Sequence, residues 1–396
     1  MASRSTLRSP YPLSIAFTST GFSMDPQSFI RLAPEDLPPG VPLPWDVHDE
    51  RGVLVMRAGA MPARDEQLER LLARGIFRPR MTADKVITAS RSVFEQLQVI
   101  KLDVRASLKA IVAGTAPPSV EELLTLTARI RALAWKHPDA VLGGLQLDSE
   151  AAYTEIHPIM VAVISELVAR RIGINEAQRI ALCAAALTSN VGMLDLQDVL
   201  CRQTAPLDDA QRQTVRAHPQ LSLELLRGIG VGDADWLRIV LDHHERLDGS
   251  GYPHGKRGEE IDQLTAIVAL ADTYGAMVLP REYRDGFHAQ RALREIFIQR
   301  GTLVNAELAQ LFIKELGVYP PGVFVTMKNG ERGIVIKRGT KAANAPVVSC
   351  FASARQEAYS APIVRDTSAP GAQAIATVSA RQVLNMPLEK IWGLPR

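Results

Sequence analysis

The chain has 396 residues, 46% of them hydrophobic and 22% charged, enough apolar material for two or three domains with a buried core. Its 45 Lys and Arg against 43 Asp and Glu leave a net charge of +2, so no broad basic field exists for nucleic acid or an anionic membrane. No run of eighteen apolar residues occurs, and three cysteines, Cys183, Cys201 and Cys350, are too few and scattered for a disulfide framework or a Cys-rich zinc site; a soluble, cytoplasmic protein is expected.

Residues 1–39 are expected to be disordered. The first 23 carry arginine without acid, are rich in Ser and Thr, and hold only a short apolar stretch at Leu13–Phe17, too brief for a signal peptide. Met24 is an alternative start, which the intact mass of the natively expressed protein would identify. Residues 40–80 read as a small α+β module: two short strands around the turn Asp49-Glu50-Arg51-Gly52, then a helix from about Arg64 that stops at Gly75. Its His48 reads as a surface turn residue, since no second ligand sits nearby.

Residues 81–147 read as a helical connector, broken at Thr115–Pro118 and restarted by the capping box Ser119/Glu122. The segment 119–137 has the character to pair with a second copy, so a homodimer is an expectation. From 148 to 317 helices follow in series, over roughly 150–172, 175–188, 208–228, 234–245, 260–278, 288–300 and 304–316, which makes this domain all-α. Residues 318–350 form a β-hairpin appendage around Asn329-Gly330. The tail, 351–396, lacks periodicity until Leu384–Trp392 and stays largely unassigned.

The chemistry concentrates in His243-His244-Glu245-Arg246-Leu247-Asp248-Gly249-Ser250-Gly251-Tyr252-Pro253. Consecutive histidines on a helix point about 100° apart, so they serve different edges of a metal cluster more readily than one tetrahedral ion. The glycines allow close approach of backbone to a ligand, and Tyr252 and Pro253 supply a rigid wall for a planar, phosphate-linked molecule. Asp272 lies in the apolar run that begins at Ala266, where a buried carboxylate needs a partner such as a metal or a histidine.

The eleven-residue string matches HHExxDGxGYP at every fixed position and resembles the signature of the HD-GYP family. The resemblance is strong over 148–317 and weaker in the front module and rear hairpin. It implies a mainly α fold, an HD-type helical bundle, and hydrolysis of cyclic di-GMP at a two- or three-metal centre of iron or manganese. Carried over position by position, it implies metal ligands at His157, His218, His243, His244 and Asp272. It also implies ligand contacts from Gly251, Tyr252 and Pro253, and from Arg281 and Arg284 in a segment similar to the family's Arg-Pro-Tyr-Arg. The same loop is associated in the family with recognition of a signalling protein partner.

The chain departs from the family where the name-giving His-Asp-Ile-Gly-Lys should fall, at Ser189-Asn190-Val191-Gly192-Met193. Tyr153 stands where trinuclear members place an acid, which argues against a third metal. Two dications about 4 Å apart repel by about 16 kcal/mol at an effective dielectric of 20, and the family's dyad aspartate is the anion that offsets this. Asn190 is neutral, Ser189 replaces an imidazole by a weak hydroxyl, and Met193 removes a phosphate-binding cation. The expectation is at most one tightly held divalent ion and a weak or inactive cyclic di-GMP sensor or interaction module. Two alternatives stand beside it: an active phosphodiesterase giving pGpG or GMP, with Asp195 or Asp198 moved into the vacated place, and a mononuclear phosphohydrolase acting on another nucleotide.

Overall fold

In the computed structural model, which describes residues 29–32, 34, 37, 43, 46–57, 60, 66–79, 92–148, 151–279, 289–370, 372, 374–379, 384 and 386–394, the turn at Asp49–Gly52 forms as its residues predict. The Asp49 carboxylate accepts from the amides of Arg51 and Val53, both at 2.9 Å, and Gly52 takes φ 78°. This joins β2 (Val47–Asp49) to β3 (Leu54–Met56). With β1 (Phe29–Arg31) and β4 (Ile76–Pro79) they make an antiparallel sheet in the order β1-β4-β2-β3. Helix α1 (Glu66–Arg74) precedes β4 and ends at Gly75, φ 102°.

Two expectations change here. Residues 29–31 form a strand inside the segment expected to be disordered, because β4 offers them an edge to pair with; residues 1–28 lie outside the described residues. His48 is a strand residue rather than a turn residue, facing Phe77 across the ladder and standing edge-on to Phe29 at 5.7 Å. These strands belong to the first of two compact units, residues 1–80 and 81–396.

The second unit begins with α2 (Val93–Ala113), α3 (Val120–Lys136) and α4 (Pro138–Leu147). Capping boxes start α2 at Ser92/Glu95 and α3 at Ser119/Glu122. These helices are a layer of the bundle rather than a spacer. Leu123, Leu126, Ile130 and Leu133 of α3 are buried in the same core as the helices that follow, so the face expected to pair with a second copy is spent within the chain. Ion pairs carry the layer onto the bundle: Arg105–Glu155 at 2.8 Å and Arg131–Glu166 at 3.0 Å.

The bundle is built on α5 (Tyr153–Arg171), whose residues from Thr154 to Ala169 are all buried. Around it lie α6 (Glu176–Thr188), a 3₁₀ turn at Val191–Met193, α7 (Leu194–Leu200), α8 (Asp209–Gly228), α9 (Ala234–Asp242), α10 (Gln263–Val278), α11 (Ala289–Ile298) and α12 (Ala306–Leu316). The stretch Glu176–Leu200 is long and apolar enough to cross a membrane by length and composition, yet 72% of its apolar 18-residue window is buried in the bundle and the stretch is broken by the 3₁₀ turn.

Beyond the bundle the predicted hairpin is part of a larger antiparallel sheet, β8-β7-β6-β5-β9. Its strands are β5 (Phe324–Met327), β6 (Arg332–Lys337), β7 (Val347–Ala352), β8 (Ala358–Asp366) and β9 (Ile375–Val378), with Gly330 at φ 85° in the first turn. The sheet is fixed to the bundle layer by Arg338, which reaches Asp139 at 2.5 Å and Glu315 at 2.7 Å. Helix α13 (Leu388–Trp392) closes the chain, its Trp392 ring lying where a Cβ on Gly143 would stand.

Candidate metal centre

Four segments of the bundle bring the predicted ligands together: α5 carries His157, α8 His218, the end of α9 His243 and His244, and α10 Asp272. His157, His218, His243 and Asp272 are buried and His244 is half-buried. Local sequence sets the orientation of two of them. Pro219 has no N–H, so the carbonyl of Val215, four residues back in α8, loses its helical donor. The His218 Nδ1–H donates to that carbonyl at 2.6 Å. Helix α9 ends at Asp242, which leaves its last carbonyls open, and His243 Nδ1–H donates to Val240 at 2.8 Å.

The histidine pair therefore lies at and just past a helix end rather than along a helix. His243 is the C-cap, and the amide of Glu245 closes the turn on the Asp242 carbonyl at 2.8 Å. The two rings are 4.1 Å apart and tilted by 40°.

A carbonyl can only accept, so both Nδ1 atoms carry the proton and both Nε2 atoms keep a lone pair as long as the rings are neutral. Burial keeps them neutral: it pushes His218 down to about 3, and it lowers His243 and, further, His244. The Nε2 atoms of His218 and His243 consequently face each other at 3.3 Å, two acceptors without a proton between them. Buried His244 Nε2 has no hydrogen-bond partner among the described residues. Ligand atoms of these three histidines all lie within 4.8 Å of one another. Three neutral imidazoles converging, two of them locked by Nδ1–H donation to backbone, fit a divalent transition-metal cation.

The other two predicted ligands are engaged differently. Asp272 Oδ1 accepts from Asn190 Nδ2 at 3.2 Å and stands 3.6 Å from His157 Nε2. The Tyr153 ring stacks on His157 at 4.8 Å and 21°, and a Cβ on Gly275 would come within 3.3 Å of the same imidazole. The five residues thus divide into a trio, His218, His243 and His244, and a pair, His157 and Asp272, joined to Asn190.

The segment that replaces the family dyad is held against α8. Gly192 N donates to Ser222 Oγ at 2.9 Å, and Ser222 Oγ donates to the Ser189 carbonyl at 2.8 Å. A Cβ on Gly192 would meet Ser222 N at 2.6 Å and the His218 carbonyl at 2.7 Å, so only glycine lets the turn lie this close. Ser189 is fully buried, with its hydroxyl directed at the Ala186 carbonyl at 3.4 Å. Met193 supplies no charge. Neither acid proposed to fill the vacated place reaches it: Asp195 is exposed on α7, and Asp198 accepts from Thr154 Oγ1 at 2.7 Å.

The loop after the pair folds over the trio. Tyr252 stacks on His244 at 4.8 Å and 28°, so the wall expected for a ligand already covers one imidazole. A Cβ on Gly251 would fall 2.5 Å from Arg246 N and 2.6 Å from the His244 carbonyl. Glu245 fastens the loop by accepting from the amides of His254 at 2.7 Å and Lys256 at 2.9 Å, while Lys256 Nζ reaches Asp242 at 2.6 Å. Asp242, Glu245 and His254 also lie close together, but both Glu245 oxygens accept backbone amides and Lys256 Nζ pairs with Asp242 Oδ2, which leaves Asp242 Oδ1 as the one carboxylate oxygen of this group without a hydrogen bond among the described residues. Sequence reasoning missed Glu245, Asp242 and Lys256 as fasteners and Ser222 as an anchor; the fixed Glu of the motif was the one available signal. Arg281 and Arg284 lie outside the described residues.

Residues 128–308 match the family model described as HD domain. The chain is 29% identical over 232 residues to the cyclic di-GMP phosphodiesterase PA4108 of Pseudomonas aeruginosa, covering 59% of this chain and 56% of that protein. It is 32% identical over 177 residues to the 3'3'-cGAMP-specific phosphodiesterase 3 of Vibrio cholerae, covering 45% and 38%. With the cyclic di-GMP phosphodiesterase response regulator RpfG of Xanthomonas campestris it shares 31% over 156 residues, covering 38% and 40%. The match thus spans about half or less of each relative's length. Among solved structures, Bd1817, an HDG"Y"P protein of Bdellovibrio bacteriovorus, superposes with a TM-score of 0.53 at 14% identity, covering 72% of this chain and 98% of that one, which shows the shared fold.

Proposed function

We propose that the chain is a cytoplasmic cyclic dinucleotide signalling protein of the HD-GYP group, a sensor or interaction module with weak or no phosphodiesterase turnover; the match of residues 128–308 to the HD domain and the likeness to cyclic dinucleotide phosphodiesterases support this reading. The observation that carries this reading is the asymmetry of the centre. His218, His243 and His244 converge as neutral imidazoles, while the dyad position holds a buried serine and an amide that donates to Asp272. The three imidazoles would hold one iron or manganese ion, which when bound polarises a phosphodiester oxygen. Within the chain, Val215 and Val240 fix the rings of His218 and His243, Tyr252 covers His244, and Glu245 keeps the Gly251–Tyr252–Pro253 loop in place to meet a cyclic dinucleotide or a signalling partner. Arg281 and Arg284, which follow α10 in sequence, are the proposed phosphate contacts.

The test is binding and hydrolysis of cyclic di-GMP and 3'3'-cGAMP by the purified full chain, with His244→Ala as the control. Binding of at least one of them, with turnover no higher than that of the control, is the expected result. Hydrolysis well above the control would make the chain an active phosphodiesterase, and absence of binding to both would end the cyclic dinucleotide reading.

A further inference from the structure

Asn190 is more than a lost aspartate. Its amide nitrogen donates to Asp272 Oδ1 at 3.2 Å, and its Oδ1 is buried with no hydrogen-bond partner among the described residues. Because a carboxylate only accepts, the amide's N–H side must be the one that faces Asp272. An aspartate at this position would turn an anionic oxygen towards that space; asparagine turns partial positive hydrogens into it. The negative charge an aspartate would bring is gone, and Asp272 is supplied with a donor from the protein itself.

We infer that Asn190 is the residue that sets the metal count. By holding Asp272 in a protein-internal array with His157, it shuts the half of the centre where a second ion would need two carboxylates, and it leaves the three-histidine half open for one. The geometry supports this division twice. The trio lies within 4.8 Å without Asp272, and His157 stands 3.6 Å from the same Asp272 oxygen that Asn190 reaches, under the Tyr153 ring. The inference rests on the one-metal reading above and adds to it which half is closed and by what.

The experiment is metal content per full-length chain after loading with manganese, read by elemental analysis. Electron paramagnetic resonance, which separates an isolated Mn(II) from a magnetically coupled pair, is read in parallel. Wild type is expected at one uncoupled ion. Asn190→Asp is expected to rise to two, with the spectrum of a coupled pair. Asp272→Asn is expected to keep one ion, because Asp272 belongs to the closed half, and this variant decides the matter if Asn190→Asp does not fold. One ion in Asn190→Asp with two in Ser189→His/Asn190→Asp would assign the exclusion to Ser189 and overturn the inference. So would a fall of Asp272→Asn below half an ion. Zero or two ions in the wild type would instead overturn the one-metal reading itself.

Discussion

At Glu331 the second sheet buries a carboxylate, and at His218 the bundle buries an imidazole; the two sites solve the burial of a polar group in opposite ways. Glu331 accepts from Arg365 at 2.7 and 3.1 Å, from Tyr359 at 2.9 Å and from Asn329 at 2.8 Å, and its Arg365 partner first of all holds it down to about 2. Each acceptor finds a donor inside the protein, which is the ordinary requirement for burying a charge. In the histidine trio the Nδ1 sides of His218 and His243 are satisfied by backbone while Nε2 lone pairs face one another. A closed network stabilises the fold by itself; an open one of this kind leaves lone pairs that a cation could accept. The half of the centre around Asn190 has moved from the second state towards the first.

Removing an open ligand should have the largest effect. His218→Ala is expected to lose the bound ion entirely while the fold persists; a variant still holding one ion per chain would mean that the trio is not the seat. Acidification separates the two sites next. An unfolded chain protonates histidine below about 6.5 and glutamate below about 4.5, whereas the folded groups lie lower, His218 at about 3 and Glu331 at about 2. The metal-free chain therefore loses the imidazoles' support as pH falls from about 6.5 towards 3, and Glu331's only as it falls from about 4.5 towards 2. Thermal unfolding of the metal-stripped protein from pH 7 to 3 should show the first loss starting near 6.5, and a profile flat down to 4.5 would erase the distinction.

A smaller effect is expected from Gly251→Ala, since the added Cβ would meet backbone atoms at 2.5 and 2.6 Å that cannot swing away. A cost of about 1–3 kcal/mol in urea unfolding should follow and, on the function proposed above, loss of cyclic dinucleotide binding. Unchanged stability would show that the loop can lift from the trio at no cost. The smallest is Pro219→Ala, which restores an N–H to compete with His218 for the Val215 carbonyl. Metal affinity should fall by about tenfold, as for other groups that orient a ligand, and titration with manganese measures it. No change would mean that the ring is held by packing rather than by that bond.

Much of the fold could be read from residues with local consequences. The capping box at Ser119/Glu122, the Asp49 turn and the Asn329-Gly330 hairpin all stand where the sequence puts them, because each is settled within a few residues. The strands β7 to β9 could not be read in the same way. Exposed positions on β8, an edge strand, fall on both faces, so it carries no alternation of apolar and polar residues to recognise. His48 and the histidine pair were placed in the wrong local setting because a strand partner and a helix end decided them.

At the centre the same division holds. The residue types fixed what is available: five candidate ligands, a serine and an asparagine where a dyad would be, and a glycine-rich loop. Which of them act together was decided by helices 25 to 115 residues apart in sequence, through directions that spacing cannot encode. A lone pair points where a backbone carbonyl elsewhere in the fold has pinned the opposite ring nitrogen, and an amide presents its donor or its acceptor according to the carboxylate it meets. Sequence named the chemistry; only packing set the sign and aim of each group.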